Sequence, residues 1–154
     1  LTTLHTETAA AAVPRLLDLG VESFLLKSTL RAVLAQRLVR ILCDRCKRKH
    51  TLGAGDLAID PRYGALGFGI GDIVHEPVGC ERCGGTGYRG RTGVFECIEM
   101  IGPVRELINP KSDSGSIEQA AVRAGAVTMI DDAVAKCRAG VTSAAEVLRV
   151  TTVR

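Results

Sequence analysis

Two cysteine pairs, Cys43-Asp44-Arg45-Cys46 and Cys80-Glu81-Arg82-Cys83, constrain this chain more than any other feature, because they ask residues distant in sequence to converge. Each Cys-x-x-Cys segment can form a tight turn whose two sulfurs point at one ion, and two such knuckles complete a tetrahedron. Thiolates at about 2.3 Å suit zinc, and four sulfurs leave no open position for water, so Cys43, Cys46, Cys80 and Cys83 are expected to hold a structural zinc ion rather than a catalytic one. Arg45, Lys47, Arg48 and Arg82 beside the pairs would offset the negative charge that four thiolates retain around a divalent ion. The 33 residues between the pairs exceed the roughly 15–20 of a compact zinc ribbon, so the knuckles are expected to close off an inserted subdomain.

Three other readings of these cysteines stay open at this level. Disulfides would suit an oxidising compartment, although a chain with an adequate apolar core has little need of them. Cys97 and Cys137 sit in apolar strand-like and helical patterns, which suggests free buried thiols. A thioredoxin-like redox pair would open a helix after a core strand, and neither pair does. The run Cys80-Glu81-Arg82-Cys83-Gly84-Gly85-Thr86-Gly87 also looks like one repeat of the zinc module of J-type co-chaperones. That family uses several repeats, and the Cys43 pair lacks the trailing glycines.

At 154 residues, with 46% apolar and 24% charged residues, the chain has the size and balance of one globular domain. Its net charge of +3 comes from scattered basic residues, and aromatic residues are only 3% with no Trp, so the stacking platforms of a single-strand nucleic-acid binder are missing. No stretch approaches the roughly 20 apolar residues of a membrane span. The opening LTTLHTET has no initiator Met, basic region or signal-peptide core, and reads as the start of a fragment.

Residues 1–4 read as the end of a strand and residues 9–19 as a helix that Gly20 stops, with Pro14 tolerable only if the helix starts near Val13. Leu26, Leu30, Val33, Leu34, Leu38, Ile41 and Leu42 recur at three- and four-residue steps, which predicts one long amphipathic helix over residues 22–42. Residues 51–79 are glycine-rich and aperiodic, as expected of an irregular excursion. Residues 92–100 have strand composition. Beyond Pro103 three or four short helices are expected around Leu107, Ile117, Ala121, Ile130, Val134, Val147 and Leu148. Capping boxes at Ser116 with Gln119 and at Ser143 with Glu146 mark two starts, and Gly125 and Gly140 suit the stops.

Three motifs then occur in order: Thr3-Leu4-His5-Thr6; Ala35-Gln36-Arg37-Leu38-Val39-Arg40-Ile41-Leu42-Cys43-x-x-Cys46; and Cys80-x-x-Cys83-x-x-Thr86-Gly87-Tyr88-Arg89-Gly90-Arg91-Thr92-Gly93. Together they resemble the type II secretion and type IV pilus assembly ATPases, and the likeness continues through Gly140-Val141-Thr142-Ser143 and Glu146-Val147-Leu148-Arg149-Val150. The ordered set is far more specific than any one motif.

The resemblance implies an α/β fold: a C-terminal fragment of a RecA-like ATPase core, an inserted tetracysteine zinc subdomain and a C-terminal helical bundle. Residues 1–42 would be the piece of the core, with its histidine box and long helix. Residues 43–90 would be the zinc subdomain, and 91–154 the returning strand and C-terminal helices. It implies a parent homo-hexamer, cytoplasmic and peripheral to the inner membrane, that meets inner-membrane secretion platform proteins and hydrolyses ATP with Mg2+ to assemble a pseudopilus. His5 would be the one catalytic-type residue here, its imidazole near the nucleotide's terminal phosphate; on sequence alone a lone His reads as an ordinary polar residue. No Gly-x-x-x-x-Gly-Lys-Ser/Thr phosphate loop occurs, so the fragment itself is expected to be inactive. That absence also leaves room for a free-standing zinc-binding interaction module. Gln36, Arg37 and Arg40 read as a solvated helix face or a subunit contact. Arg89 and Arg91 read as part of a glycine-rich loop, able to meet a neighbouring subunit or an acidic membrane partner.

Overall fold

A computed structural model describes residues 2–151; Leu1, at the expected strand end, lies outside them. The first regular elements are α1 (Ala12–Asp18), α2 (Ser23–Thr29), β1 (Ala32–Leu42), β2 (Arg48–Thr51), α3 (Ala54–Ile59) and α4 (Arg62–Ala65). Next come β3 (Ile73–Glu76), a 3-10 turn (Glu81–Cys83), β4 (Tyr88–Glu99), α5 (Gly102–Glu106), α6 (Ser114–Arg123), α7 (Met129–Arg138) and α8 (Ala144–Val150). Strands β1 and β4 pair as one two-stranded sheet, and β2 pairs antiparallel with β3 from Arg48 opposite Glu76 to Thr51 opposite Ile73. The chain forms two compact units, one of residues 1–36 and 95–129 and the other of residues 37–94 and 130–154.

The first unit is built on the apolar faces of α1, α2, α5 and α6. Ala9, Ala10, Val13, Leu26, Ile98, Met100, Val104, Ile108, Ile117 and Ala121 form its buried cluster. Pro14 is the third residue of α1, where its missing N–H lacks a helical acceptor in any case, so the helix does start where proline allows. Gly20, at φ +87°, takes the left-handed turn after that helix. Residues 2–6 form no strand. Helix α6 is capped by Asp113, whose carboxylate accepts from the Ser116 N–H at 2.8 Å; Ser116 is therefore not the cap that its spacing from Gln119 suggested.

The long helix expected over residues 22–42 is instead α2 followed by strand β1. Leu30 is already extended at φ −70°, ψ 121°. Along β1 exposure alternates through residue 40, with Leu34 and Leu38 on the open face at 61% and 47% exposure and Val39 fully buried. The three-and-four spacing arose because apolar residues fall on both faces of this strand, so their sum imitates a helical stripe. Three β-branched residues, Val33, Val39 and Ile41, all lie at positions of one parity, and that was the legible strand signal.

In the second unit, Val39, Leu42, Leu52, Leu66, Phe68, Val74, Val94, Cys137 and Val147 are buried. The supposed irregular excursion of residues 51–79 carries α3, α4 and β3. Phe68 lies edge-on to Tyr63 and under the Arg138 guanidinium, 4.7 Å from its ring centre, and Arg138 also bridges to Asp72 at 3.3 Å. On α7 the buried face is Met129, Ala133 and Cys137, one residue displaced from the expected Ile130 and Val134, which are half-buried. Ser143 does cap α8, accepting from the Glu146 N–H at 3.3 Å. Gly125 and Gly140 take positive φ after α6 and α7 as expected. Cys97 is exposed on the outer face of β4, which corrects its expected burial, whereas Cys137 is buried. Among the described residues no helix is long and apolar enough to cross a membrane.

Candidate metal centre

The first knuckle begins where β1 ends. The Cys43 N–H donates to the Gly87 carbonyl at 2.9 Å, which ties the first cysteine turn to the second, and Cys46 and Lys47 both donate back to the Cys43 carbonyl at 3.0 and 2.8 Å. The second knuckle is the 3-10 turn, closed by Cys83 and Gly85 donating to the Cys80 carbonyl at 3.1 and 2.9 Å. Its glycines are demanded by space as well as by dihedral. A Cβ on Gly79 (φ +103°) would lie 2.5 Å from the Gly85 oxygen, and one on Gly87 (φ +74°) would lie 2.4 Å from the Pro77 Cβ.

All four sulfurs lie within 4.8 Å of one another. Cys43 to Cys80 and Cys46 to Cys83 each measure 3.9 Å, and Cys80 to Cys83 measures 3.8 Å. A tetrahedral ion with sulfur ligands at about 2.3 Å has edges of about 3.8 Å, so the spacing fits one metal ion. Disulfides, which need sulfurs about 2 Å apart, are not formed by any of these cysteines, and all six are free.

The thiols of this set differ in how readily they ionise. Burial alone would push the Cys83 thiol up, but backbone N–H groups of Cys80 and Gly87, each 3.2 Å from its sulfur, and the thiols of Cys80 and Cys46 bring it down to about 6. Cys46 is instead raised to about 11 by burial, with the other three thiols adding to the rise against one backbone N–H from Gly79. A divalent cation among the four sulfurs would hold them all as thiolates. Lys47 beside the site is engaged, donating to the Gly140 carbonyl at 3.0 Å and pairing with Asp44 at 2.8 Å.

A second polar feature of the same unit escaped sequence reasoning. Glu146 is 1% exposed, and its carboxylate accepts from the Arg40 N–H at 2.9 Å and guanidinium at 2.7 Å, and from Arg149 at 2.9 Å through two nitrogens. Burial pushes its carboxyl up, but these donors outweigh it and hold the group down at about 2. Arg40 also stacks 4.1 Å over the Tyr88 ring, whose hydroxyl meets Ser143 at 2.7 Å. Arg40 thus stands on a strand and not on a helix face. The glutamate of the predicted capping box turns to these arginines, so only the serine half of that box forms. Arg37 donates to the Val150 carbonyl at 2.5 Å. Arg89 and Arg91 belong to β4 and not to a loop, and Arg91 joins Leu38, Arg40 and Arg149 around an open cleft of about 410 Å³.

The four predicted metal ligands are therefore brought together, while His5 belongs to the other unit, where it is exposed on the irregular segment before α1. Over residues 1–149 the sequence matches the family model described as Type II/IV secretion system protein. It is 42% identical to Type II secretion system protein E of Aeromonas hydrophila over 153 residues, covering 98% of this chain and 29% of that protein. It is 39% identical over 151 residues to Type II secretion system ATPase E of Vibrio cholerae, again 98% of this chain and 29% of the relative. Type IV pilus assembly ATPase PilB of Thermus thermophilus is 37% identical over 151 residues, which are 95% of this chain and 16% of that protein. The chain thus spans about three-tenths or less of the length of these relatives. With matches of this extent to both branches, the chain belongs to the type II/IV secretion system protein family.

Proposed function

We propose that this chain is the C-terminal part of a cytoplasmic ATPase that powers type II protein secretion by driving pseudopilus assembly. The observation that carries the reading is the likeness, over nearly the whole chain, to relatives named as a type II secretion system ATPase and a type IV pilus assembly ATPase. Residues 1–42 contribute a piece of a RecA-like core, 43–90 the metal subdomain and 91–154 the returning strand and a helical bundle. The ion is zinc, held by Cys43, Cys46, Cys80 and Cys83, and its closed thiolate shell makes it a structural brace with no role in bond breaking. His5 acts at the nucleotide's terminal phosphate, where an imidazole can donate a hydrogen bond to a phosphate oxygen and register its loss.

The phosphate loop and the magnesium-holding carboxylate come from residues outside this chain, so the fragment alone does not turn over ATP. The parent works as a homo-hexamer against inner-membrane platform proteins. The arginine-lined cleft around Leu38 and Arg91 supports the subunit- or partner-contact reading of that strand. The test is ATP turnover by the full-length protein in its assembled state, with Mg2+. Turnover that falls on His5→Ala is the expected result, and a full-length assembly that never hydrolyses ATP would defeat the reading.

A further inference from the structure

Strand β4 carries one carboxylate on its buried face. Val94, Glu96 and Ile98 alternate inward while Phe95, Cys97 and Glu99 face out, and Glu96 is only 5% exposed. Both of its oxygens are used by backbone donors of the first unit. Oε1 accepts from the Ala9 N–H at 2.9 Å and Oε2 from the Met129 N–H at 3.4 Å. A buried carboxylate that accepts from two backbone N–H groups is an expensive choice at a site where a leucine would add apolar burial. Its return has to lie in geometry.

The geometry in question is that of the segment behind His5. Ala9 and Ala10 are fully buried, the Thr8 hydroxyl accepts from the Ala11 N–H at 3.2 Å, and the Thr6 hydroxyl donates to the Thr8 carbonyl at 3.0 Å. The backbone from Thr6 to Ala11 is therefore locked turn by turn, and its anchor in the protein interior is the Glu96 carboxylate. His5 stands immediately before this locked stretch and is itself exposed. We propose that Glu96 is the positioning residue for His5, setting through the Ala9 N–H the place from which the imidazole meets the terminal phosphate. This rests on the reading of His5 given above.

The experiment uses the full-length protein in its assembled, Mg-ATP-hydrolysing state. Glu96→Gln keeps the side chain's size but lets it accept from only one of the two N–H groups. It should lower kcat by about 10- to 100-fold, the penalty of a displaced catalytic group, and leave KM for ATP within about twofold. In a His5→Ala background the same change should cost nothing further, since there is no imidazole left to misplace. Amide exchange at Ala9 and Met129 should quicken in the Glu96→Gln protein while the global melting transition persists. Should Glu96→Gln fail to fold, Glu96→Asp, which keeps the charge and shortens its reach by one methylene, is read by the same measurements. If His5→Ala leaves turnover intact, the reading of His5 itself falls and the positioning role with it. If His5→Ala slows turnover but the Glu96 variants do not, or if their effects multiply, the positioning role alone is overturned.

Discussion

Replacing Glu146 by Gln removes a charge that the fold has taken almost wholly out of water and surrounded with donors from Arg40 and Arg149. A carboxyl held at about 2 in the folded chain, against an ordinary 4.5, stabilises the folded state only while it is ionised. That contribution is fully present above the unfolded value and is lost as pH falls toward the folded one. At about 1.4 kcal/mol per tenfold, it amounts to about 3 kcal/mol at pH 7, still about 2 kcal/mol at pH 3.5, and nearly nothing at pH 2. Glu146→Gln should therefore be about 3 kcal/mol less stable than the parent chain at neutral pH, with the gap narrowing between pH 4.5 and 2. Urea unfolding followed by circular dichroism on both proteins across that range reads the gap directly, and taking the difference cancels what the other carboxyls and the metal contribute. A gap that stays constant with pH, or one under about 1 kcal/mol at pH 7, would refute the claim that this carboxylate is an ionised, buried clamp.

The metal-loaded chain should contain about one zinc per molecule by elemental analysis, and Cys80→Ser should lose it together with several kcal/mol of local stability around residues 43–90. Gly87→Ala should destabilise the protein by about 2 kcal/mol or more and weaken metal retention, because a methyl there strikes Pro77 and the residue must keep a left-handed backbone. Maleimide labelling of the metal-loaded protein, followed by mass spectrometry, should modify Cys97 alone. Cys97 is exposed, while Cys137 is buried and its thiol is raised to about 11 by that burial. Rapid labelling of Cys137 in the folded protein would contradict its burial in the second unit.

The convergence of the four cysteines was readable because its chemistry is written twice in a four-residue pattern, and the spacing of two knuckles needs no knowledge of what lies between them. The hairpin that joins them was not. Strands β2 and β3 are the segments Arg48-Lys49-His50-Thr51 and Ile73-Val74-His75-Glu76, too short and too charged to stand out, and they become strands only by finding each other across the excursion. Strand β1 misled for the opposite reason, since an open apolar face supplied by Leu34 and Leu38 blurs the two-residue period. The partnership of Arg40 with Glu146 joins positions 106 residues apart and leaves no local trace. Glu96 did leave one: a carboxylate at the inward position between Val94 and Ile98 of a strand is a local inconsistency, and such inconsistencies gather where geometry matters more than stability.

The hairpin has a practical consequence for anyone redesigning this protein. Thr51 and Ile73 are direct partners across β2 and β3, so the chain returns to its point of departure before it reaches the second cysteine pair. Loop length beyond that rung has no bearing on whether the sulfurs meet. Everything from residue 52 to residue 72 is in that sense a cassette, open to replacement by a short turn or an unrelated insert if the apolar contacts of Leu52, Leu66 and Phe68 and the Arg138 contacts with Gly67, Phe68 and Asp72 are replaced with it.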